Sequence, residues 1–288
     1  MTLDGICAFR QNIRLSDYTS VKIGGVADCV CYPEWKNFYS TLRYLSDGDI
    51  PHVVLGRGTN TLISDDGYRG VVVSTAKLTG VEVSGDTIRA QCGASLAGVA
   101  RIAREHSLSG LEWAVGIPGS IGGALVTNAG AWGGCIGDVL EGATVFLDKE
   151  RYVSSKELGL SYRHSEVEHL GTVGEVTIRL RRGSQKDIED REREYIIKRL
   201  STQPKGYSLG CVFKACNGIS AGYYIDKSGL KGARIGGAVV SEIHAGFILN
   251  TGGATQRDYC ELIRHVEKTV EEKFGIRLER EIKFLGNI

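Results

Sequence analysis

The stretch from Gly110 to Gly134, GLEWAVGIPGSIGGALVTNAGAWGG, constrains the fold of this chain more than any other. Seven glycines lie between Gly116 and Gly134, and apolar residues are interleaved with them. So many glycines argue against a core helix, and so many apolar residues argue against a flexible linker. Glycine lets main-chain N–H groups approach a ligand closely, and successive N–H groups in such turns bind anions, phosphate above all. The stretch therefore predicts a packed loop against a large phosphate-bearing cofactor, with a buried turn that binds nothing as the alternative.

The composition predicts a soluble globular protein of two or three subdomains. The chain has 288 residues, of which 42% are hydrophobic and 24% charged, and its formal net charge is +1. Such a balance argues against nucleic-acid binding, which needs a basic face. No apolar run suggests a membrane span or a signal peptide, so we expect a cytoplasmic protein with no membrane insertion. Eight cysteines without CxxC or zinc-ligand spacing predict neither a disulfide framework nor a metal site.

Hydrophobic periodicity and glycine positions predict the main helices and strands. In chain order these are a strand pair VKIGG and ADCVCYP, a helix from Pro33 to about Leu45, strands at 52–56 and 70–75, a hairpin around Gly85-Asp86, a helix at 96–108, strands in ATVFLD, RYVSS and EVTIRLRRG, a charged connector helix at 185–200, a helix in AGYYIDKSGLKG, strands GGAVVS and GFILN, a long helix RDYCELIRHVEKTVEEKFG and a closing strand LEREIKFLG.

The two commonest nucleotide-binding fingerprints are missing from the sequence. No GxGxxG run occurs, and Gly is never followed by Lys, which excludes a Walker A motif. A dinucleotide could still bind across two separate loops, one at Gly56–Thr61 directly after a predicted strand and one after Gly116. For Gly56–Thr61 taken alone, a tight turn between a strand and a helix is the alternative.

Several longer motifs occur in order along the chain: YTSVKIGG, GRGTNTLISD, the glycine-rich stretch, YRHS, QPKGYSLGCVFK, AGYYIDKSGLKGARIGGAVVSEIHAGFILN and LEREIKFLG. From about Tyr18 to Gly286 they resemble the UDP-N-acetylenolpyruvoylglucosamine reductases, the MurB family of flavoenzymes in bacterial peptidoglycan synthesis. The short run from YRHS to the connector helix resembles the type II branch, which lacks an inserted loop over the substrate site.

This resemblance implies an α+β fold with a two-subdomain FAD-binding unit of the vanillyl-alcohol oxidase (PCMH) type and a C-terminal α+β substrate-binding domain. The implied boundaries are 1–70 and 71–184 for the two FAD-binding subdomains, 185–203 for the connector helix and 204–288 for the substrate-binding domain. The residues implied to bind FAD lie in both glycine loops. They are Gly56, Arg57, Gly58, Thr59, Asn60, Gly116, Pro118, Gly119, Ser120, Gly122, Gly123, Asn128 and Ala129.

The resemblance also implies the reaction: NADPH reduces FAD, and a hydride then passes to the enolpyruvyl methylene of a UDP-sugar, giving UDP-N-acetylmuramate. Negative charge that develops beside the carboxylate needs a cation and a proton donor. Arg163 of YRHS matches the family's catalytic arginine, Cys211 its proton donor and Glu281 its catalytic glutamate. By residue type and strand alternation alone, these three would be a surface arginine, a buried cysteine and a solvated glutamate.

This chain departs from the family pattern in the segment that begins at Cys211. Most members have serine at this position, but a thiol can also donate a proton at neutral pH. The family commonly continues Lys-Asn-Pro where this chain has Lys214-Ala215-Cys216, so any contact made by that asparagine is lost or replaced. Lys231, Lys214 and Arg199 are implied substrate-binding residues, with Lys231 near the diphosphate. His244 is predicted to have a packing role.

Two other functions remain open at this stage. A different flavoprotein of the same fold, such as a sugar or alcohol oxidase, is disfavoured by GCVFK and GLKG. A noncatalytic sensor of flavin or nucleotide sugar is disfavoured because Arg163, Cys211 and Glu281 are all present. The sequence predicts no oligomeric state.

Overall fold

The computed structural model describes residue 3 and residues 5–287 of the chain. Its α-helices are α1 (Trp35–Asp47), α2 (Leu96–Glu105), α3 (Ile121–Val126), α4 (Val167–Leu170), α5 (Gln185–Thr202), α6 (Ala221–Lys227) and α7 (Gln256–Phe274). Its strands are β1 (Ala8–Arg14), β2 (Val26–Tyr32), β3 (His52–Leu55), β4 (Thr61–Ile63), β5 (Tyr68–Ser74), β6 (Val81–Ser84), β7 (Thr87–Gln91), β8 (Leu108–Ser109), β9 (Gly130–Ala131), β10 (Gly134–Cys135), β11 (Leu140–Phe146), β12 (Glu150–Ser154), β13 (Thr172–Arg179), β14 (Arg181–Arg182), β15 (Tyr207–Cys211), β16 (Arg234–Ile235), β17 (Ala238–Val240), β18 (Phe247–Asn250) and β19 (Lys283–Leu285). In the part of the chain so described, no helix is both long and apolar enough to cross a membrane.

The chain forms two compact units, each with its own hydrophobic core. Unit 1 consists of Met1–Arg10, Cys29–Arg57 and Gly70–Arg199. Unit 2 consists of Gln11–Asp28, Gly58–Arg69 and Leu200–Ile288. The chain therefore passes between the units several times, and the subdomain boundaries implied above stay a prediction.

An antiparallel sheet in the order β12-β11-β13-β7-β6 lies at the centre of unit 1. Alternate residues such as Ile88, Val145 and Val176 are completely buried or nearly so, as expected for strands with one face on the core. The short helix α3 packs on β13 and β7. The sheet and α3 together hold the glycine-rich stretch against the core of this unit.

A second sheet has the order β1-β2-β5-β3, and in it β3 and β5 are parallel, with Val53 beside Val72. Strands β3 and β5 each contain a short β-branched run, which favours a pleated and partly buried conformation. Gly56 follows β3 directly, so the predicted turn Gly56–Thr61 begins at the carboxyl end of a parallel strand.

Unit 2 contains an antiparallel sheet in the order β15-β18-β17-β16, on which α7 packs, and the parallel pair β4 and β19. Helix α7 begins with a capping box between Thr255 and Asp258 and ends at Gly275, which has a left-handed conformation. Tyr259 is fully buried and donates its hydroxyl proton to the carbonyl of Ile248 at 3.1 Å. These contacts fix the helix on the sheet that carries Cys211.

The predicted helices are confirmed in α1, α2, α5, α6 and α7, and the hairpin around Gly85 is confirmed by β6 and β7. The predicted strand VKIGG is wrong, because Lys22 and Gly24 both have positive φ angles and the segment is irregular. The partner strand ADCVCYP is confirmed by β2. The closing strand is shorter than predicted and comprises only Lys283–Leu285.

The glycine-rich stretch contains a short core helix, although its many glycines predicted that it would not. Helix α3 buries Ile121, Ala124 and Leu125 inside it, and the Oγ of Ser120 caps it by accepting a hydrogen bond from the N–H of Gly123 at 3.3 Å. Gly122 permits this helix, since a side chain there would lie 2.7 Å from the Cβ of Cys92. Glycine is used here for close packing, not only for ligand approach.

Candidate active site

The two glycine loops predicted to share one ligand meet in unit 1. A Cβ placed on Gly56 would lie 2.6 Å from the Oγ of Ser120, so the first loop runs directly against the second. Gly116 and Gly119 have φ angles of 71° and 143°, which side chains rarely allow. Pro118 lies between them, in a backbone shaped by glycine and closed by α3. Such a backbone can present its N–H groups to a phosphate-bearing ligand.

Thr59, Asn60 and Gly58 of the first loop belong to unit 2, whereas Gly56 and Arg57 belong to unit 1. Gly58 has a φ of 59°, and a Cβ there would collide with the carbonyl oxygen of Tyr18. Only glycine fits this position, so the loop has the backbone freedom that the sequence predicted.

Trp132 is a candidate site residue that the sequence analysis missed. Its indole stacks on Tyr195 of α5 with the ring centroids 6.3 Å apart, and the Nζ of Lys198 lies 4.6 Å from the indole centroid. The indole Nε1 is buried and has no hydrogen-bond partner among the described residues. A buried donor of this kind needs an acceptor, and a ligand atom in the glycine loop would supply one. The aromatic residue within AWGG was the available signal in the sequence.

Arg163 lies in a tight turn of unit 1 with a left-handed φ of 53°. The turn is closed by two backbone hydrogen bonds between Ser161 and His164, of 3.1 and 3.2 Å. The Nη2 of Arg163 donates to the carbonyl of Gly130 at 3.0 Å, which ties the YRHS turn to the glycine-rich stretch. A non-glycine residue held in this conformation by its surroundings is a feature typical of functional sites.

Asn128 connects the same two segments from within the core. It is 7% exposed, its Nδ2 donates to the carbonyl of Ser161 at 2.8 Å, and its Oδ1 accepts from the N–H of Gly137 at 3.0 Å. The backbone N–H and carbonyl of Ala129 are also used internally, with Ala124 and Ile136. We therefore assign Asn128 a supporting role in the shape of the loop, and direct contact with a cofactor stays a prediction.

Cys211 and Glu281 are close in the backbone of unit 2. Cys211 ends β15, and the N–H of Glu281 donates to the carbonyl of the next residue, Val212, at 2.8 Å. The Nδ2 of Asn60 donates to the carbonyl of Glu281 at 3.1 Å. The side chain of Glu281 is half-buried, whereas strand alternation alone predicted a solvated one. Backbone bonds thus place a first-loop residue, the cysteine strand and the glutamate together.

The three predicted substrate-binding cations differ in their surroundings. In unit 2, the Nζ of Lys214 lies 2.5 Å from a carboxylate oxygen of Glu279, and the Nζ of Lys231 lies 3.0 Å from one of Asp226. In unit 1, the side chain of Arg199 lies over Gly116, and a Cβ built on that glycine would be 3.2 Å from the Cδ of the arginine. All three are placed in loops or helix ends that could receive a polar ligand.

The segment that replaces Lys-Asn-Pro leads into a tight turn that begins at Cys216. Cys216 and Ile219 exchange backbone hydrogen bonds of 2.9 Å, and Asn217 and Gly218 between them have φ angles of 52° and 77°. Asn-Gly is the favoured pair for such a turn. Ala215 offers no polar side chain, so the asparagine amide of the family pattern has no direct substitute at its own position.

Comparison with known proteins decides the family. The sequence profile of the UDP-N-acetylenolpyruvoylglucosamine reductase C-terminal domain matches residues 203–285, and that of an FAD binding domain matches residues 28–155. The UDP-N-acetylenolpyruvoylglucosamine reductase of Exiguobacterium sibiricum is 45% identical over 282 residues, which is 96% of this chain and 92% of the relative. The chain belongs to the UDP-N-acetylenolpyruvoylglucosamine reductase family. The second such reductase of Bacillus cereus is 44% identical over the same shares. The crystal structure of the reductase from Thermus caldophilus matches with a TM-score of 0.86 at 34% identity, over 97% of this chain and 100% of that one.

Membership of the reductase family confirms the predicted fold class, an α+β chain with an FAD-binding unit and a family-specific C-terminal domain. It also makes this chain an FAD-dependent oxidoreductase. The residues present fit the cofactor: the glycine backbones leave room for a phosphate, and the buried indole N–H of Trp132 is a donor without an acceptor.

Cys92, which packs against Gly122 of the glycine-rich stretch, has a structural role. Burial raises the pKa of its thiol to about 12, so the thiol stays neutral and contributes only packing.

Proposed function

We propose that this reductase converts UDP-N-acetylglucosamine enolpyruvate to UDP-N-acetylmuramate with NADPH as the electron donor, as a step of peptidoglycan precursor synthesis. The observation that carries this proposal is the 45% identity over 96% of the chain to a reductase named for that substrate. The presence of Arg163, Cys211 and Glu281 in the matching motifs supports an active enzyme. The expected partner is therefore a small UDP-sugar.

The loop residues from Gly56 to Asn60 and from Gly116 to Ala129 would hold FAD, together with Trp132. FAD, when bound, supplies the hydride chemistry: it accepts a hydride from NADPH and delivers it to the terminal methylene carbon of the enolpyruvyl ether. The protein must then deal with the charge that develops on the adjacent carbon and its carboxylate.

Arg163 would stabilise that charge. Its guanidinium is always protonated, and its planar fork matches the two oxygens of a carboxylate. The closed Ser161–His164 turn fixes the backbone of Arg163, and the bond from Nη2 to Gly130 holds its guanidinium. Little reorganisation is therefore needed as charge develops. Glu281 would act on the same enolate from a backbone that is fixed through Val212 and Asn60.

Cys211 would donate the proton that completes the reduction. The S–H bond breaks, a C–H bond forms at the carbon next to the carboxylate, and the resulting thiolate regains its proton from solvent. A thiol is far more acidic than a serine hydroxyl, so the transfer to a carbanion-like centre is favourable. Lys231, Lys214 and Arg199 would bind the anionic diphosphate, with Lys231 and Lys214 exchanging their present carboxylate partners for phosphate oxygens.

Two anaerobic additions test the whole proposal. NADPH should bleach the yellow FAD-bound protein, and the enolpyruvyl nucleotide should then restore the colour with one equivalent of UDP-N-acetylmuramate formed. Bleaching of the oxidised flavin by a simple sugar or alcohol, with no recovery of colour when the enolpyruvyl nucleotide is added, would instead indicate an oxidase of the same fold. A protein that binds FAD but shows neither change would be a noncatalytic sensor.

Replacement of Cys211 separates the two half-reactions. We expect Cys211→Ala to keep NADPH-driven bleaching and to lose about 10²- to 10⁴-fold in the rate of recovery with the enolpyruvyl nucleotide, because only the proton donor is removed. Cys211→Ser should retain much of the recovery rate. Cys216→Ala, a change to the half-buried cysteine of the neighbouring turn, is the matched control and should behave as wild type. Equal losses in both half-reactions would show that Cys211 is structural.

A further inference from the structure

An imidazole and the thiol that the proposed reaction uses lie against the same glycine, Gly246. A Cβ built on Gly246 would lie 3.0 Å from Cε1 and 3.1 Å from Nδ1 of His244, and 3.6 Å from Sγ of Cys211. The two side chains therefore flank the same face of Gly246, which only glycine leaves open. The backbone fixes this arrangement, because the N–H of Val212 donates to the carbonyl of Gly246 at 2.9 Å.

The tautomer of this histidine follows from one hydrogen bond. The backbone N–H of Gly246 donates to Nδ1 of His244 at 3.1 Å, so Nδ1 is an acceptor and the neutral ring carries its proton on Nε2. The N–H of His244 itself donates to the Oγ of the buried Ser241 at 3.2 Å, and Gly222 of α6 lies against the ring at Cε1. The neutral ring then has no free lone pair for the proton of the thiol, because Nε2 already carries a proton and Nδ1 accepts the bond from Gly246.

The charges around the ring also favour its neutral form. Burial lowers the pKa of His244, a hydrogen bond with its own backbone partly opposes that shift, and the positive charge of Lys231 lowers the pKa further. Among the groups on the elements packed here, Asp226 on α6 pairs with Lys231, Glu242 lies exposed in the same turn, and Glu281 pairs through its backbone with the cysteine strand. The charge of Lys231 acts on the imidazole and disfavours its protonated form.

We propose that His244 is a positioning residue for the protonation step: its imidazole packs as a neutral ring beside Cys211, holds the thiol in place and does not take its proton. Adjacent cysteine and histidine side chains commonly form a thiolate–imidazolium pair, which creates a nucleophile. Here the bond from Gly246 prevents that pair, and Cys211 stays a proton donor. The inference rests on the proposed function only for the substrate that receives the proton. It replaces the purely packing role predicted for His244.

The hydrogen bond to Nδ1 of His244 matters because this chain has cysteine where most members of the family have serine. A serine hydroxyl beside an imidazole keeps its proton at neutral pH, whatever the tautomer of the ring. A thiol beside an imidazole with a free lone pair would lose its proton and with it the ability to act as an acid. A chain with Cys211 therefore needs an imidazole whose lone pair is already used.

Alkylation of the FAD-bound protein without substrate tests the neutral arrangement. Iodoacetamide labelling of Cys211, followed by peptide mass spectrometry from about pH 5.5 to about pH 9.5, should show a rate that rises continuously into the alkaline range. His244→Asn keeps an acceptor for the N–H of Gly246, because Oδ1 of asparagine takes the place of Nδ1, but it has no basic nitrogen, and its profile should match wild type within about twofold. Rapid labelling near about pH 6 that His244→Asn abolishes would reveal a thiolate–imidazolium pair and overturn the proposal.

Half-reaction rates test the positioning role. His244→Leu removes the acceptor for Gly246 and should slow recovery with the enolpyruvyl nucleotide about tenfold, while NADPH-driven bleaching is unchanged. His244→Asn should restore most of that recovery rate, which a role in packing volume alone would not predict. Equal rates in His244→Leu and wild type, or no rescue by asparagine, would overturn the proposal. If the wild type itself fails to use this nucleotide, the proposed function fails, and the labelling profile still decides the state of the thiol.

Discussion

The backbone of Arg163 is strained, and the hydrogen bonds around it hold the strained conformation. An arginine with a φ of 53° costs free energy relative to an extended or right-handed conformation. The turn Ser161–His164 and the carbonyl of Gly130 hold it there. A guanidinium fixed at its base in this way does not have to search for its ligand, which is the property that a charge-stabilising residue needs.

We expect Arg163→Lys to lose about 10²- to 10³-fold in the rate of recovery with the enolpyruvyl nucleotide. Lysine keeps the charge but not the two-pronged contact with a carboxylate. Rapid-mixing absorbance of the bound flavin would measure both half-reactions, and bleaching by NADPH should be unaffected. Arg181→Lys, at an exposed arginine of β14, is the control. A loss of bleaching in Arg163→Lys would assign the arginine to the cofactor instead.

The unpartnered indole of Trp132 predicts a contribution to cofactor affinity. Trp132→Phe keeps an aromatic ring for Tyr195 but removes the buried N–H. If that N–H donates to FAD, its loss should weaken FAD binding by about tenfold, which corresponds to about 1.4 kcal/mol. Titration of the FAD-free protein by flavin fluorescence measures this. Trp35→Phe, in α1, is the control, and equal affinities in the two variants would remove Trp132 from the cofactor site.

At the scale of elements, α2 and α5 are joined in unit 1 by an ion pair with a buried carboxylate. The Nη1 of Arg104 lies 2.7 Å from a carboxylate oxygen of Glu192, whose side chain is only 4% exposed. Burial raises the pKa of Glu192, although the charge of Arg104 opposes that shift. The charge on Glu192 is thus tolerated in the fold because Arg104 is present.

Arg104→Ala should lower the free energy of unfolding by about 3 kcal/mol near neutral pH, since it leaves a buried carboxylate without its partner. The pKa of Glu192 should then rise further, so the carboxylate binds a proton as the pH falls and the loss becomes smaller. Urea unfolding at about pH 5 and about pH 7.5 would measure the difference.

Arg101→Ala is the matched control for this pair. Arg101 lies on the same helix and pairs with Glu105 in solvent, where such pairs contribute under about 1 kcal/mol. Similar losses in Arg101→Ala and Arg104→Ala would contradict the importance of the buried carboxylate.

The sequence predicted those elements whose residues alternate between core and solvent. Helices α1 and α7 have a clear apolar face and end at glycine, so periodicity and capping are enough to find them. The segment around Lys22 has the apolar alternation of a strand, but long-range bonds such as that from Asn250 to the carbonyl of Val21 override it. Helix α3 was missed because propensity disfavours glycine, whereas packing on Cys92 requires it.

The candidate site was predictable to the extent that its motifs are continuous in sequence. Arg163, Cys211 and Glu281 were found from such motifs, and their proposed roles still await the tests above. Trp132 and His244 were not assigned functions, because their proposed roles come from neighbours that are distant in sequence, Tyr195 for the tryptophan and Cys211 for the histidine.

At the scale of the whole molecule, unit 2 cannot be cut from the chain as one piece. Its core combines Val21, Ile23 and Leu62 with the residues after Leu200, and the first three are completely buried or nearly so. The Nδ2 of Asn250 also donates to the carbonyl of Val21. The family's C-terminal domain, as its sequence profile defines it, is therefore only part of a physical unit.

A fragment that starts at Leu200 should accordingly not fold on its own. It lacks three core side chains and the strand that pairs with β19, so its remaining apolar surface cannot offset the conformational entropy. Amide NMR spectra of the fragment should show the narrow dispersion of an unfolded chain, whereas the full chain gives a dispersed spectrum. A cooperative thermal transition in the fragment would contradict this expectation.

The division of unit 2 into three segments also has a consequence for synthesis in the cell. Val21, Ile23 and Leu62 leave the ribosome early, but the strands and helix that cover them come from the last third of the chain. At a synthesis rate of about 5–20 residues per second, those apolar side chains remain uncovered for about 10–40 seconds until the rest of the core has been synthesised. Nascent chains of this protein should therefore depend on chaperones that shield apolar segments during translation, and should acquire protease resistance in unit 2 only after release.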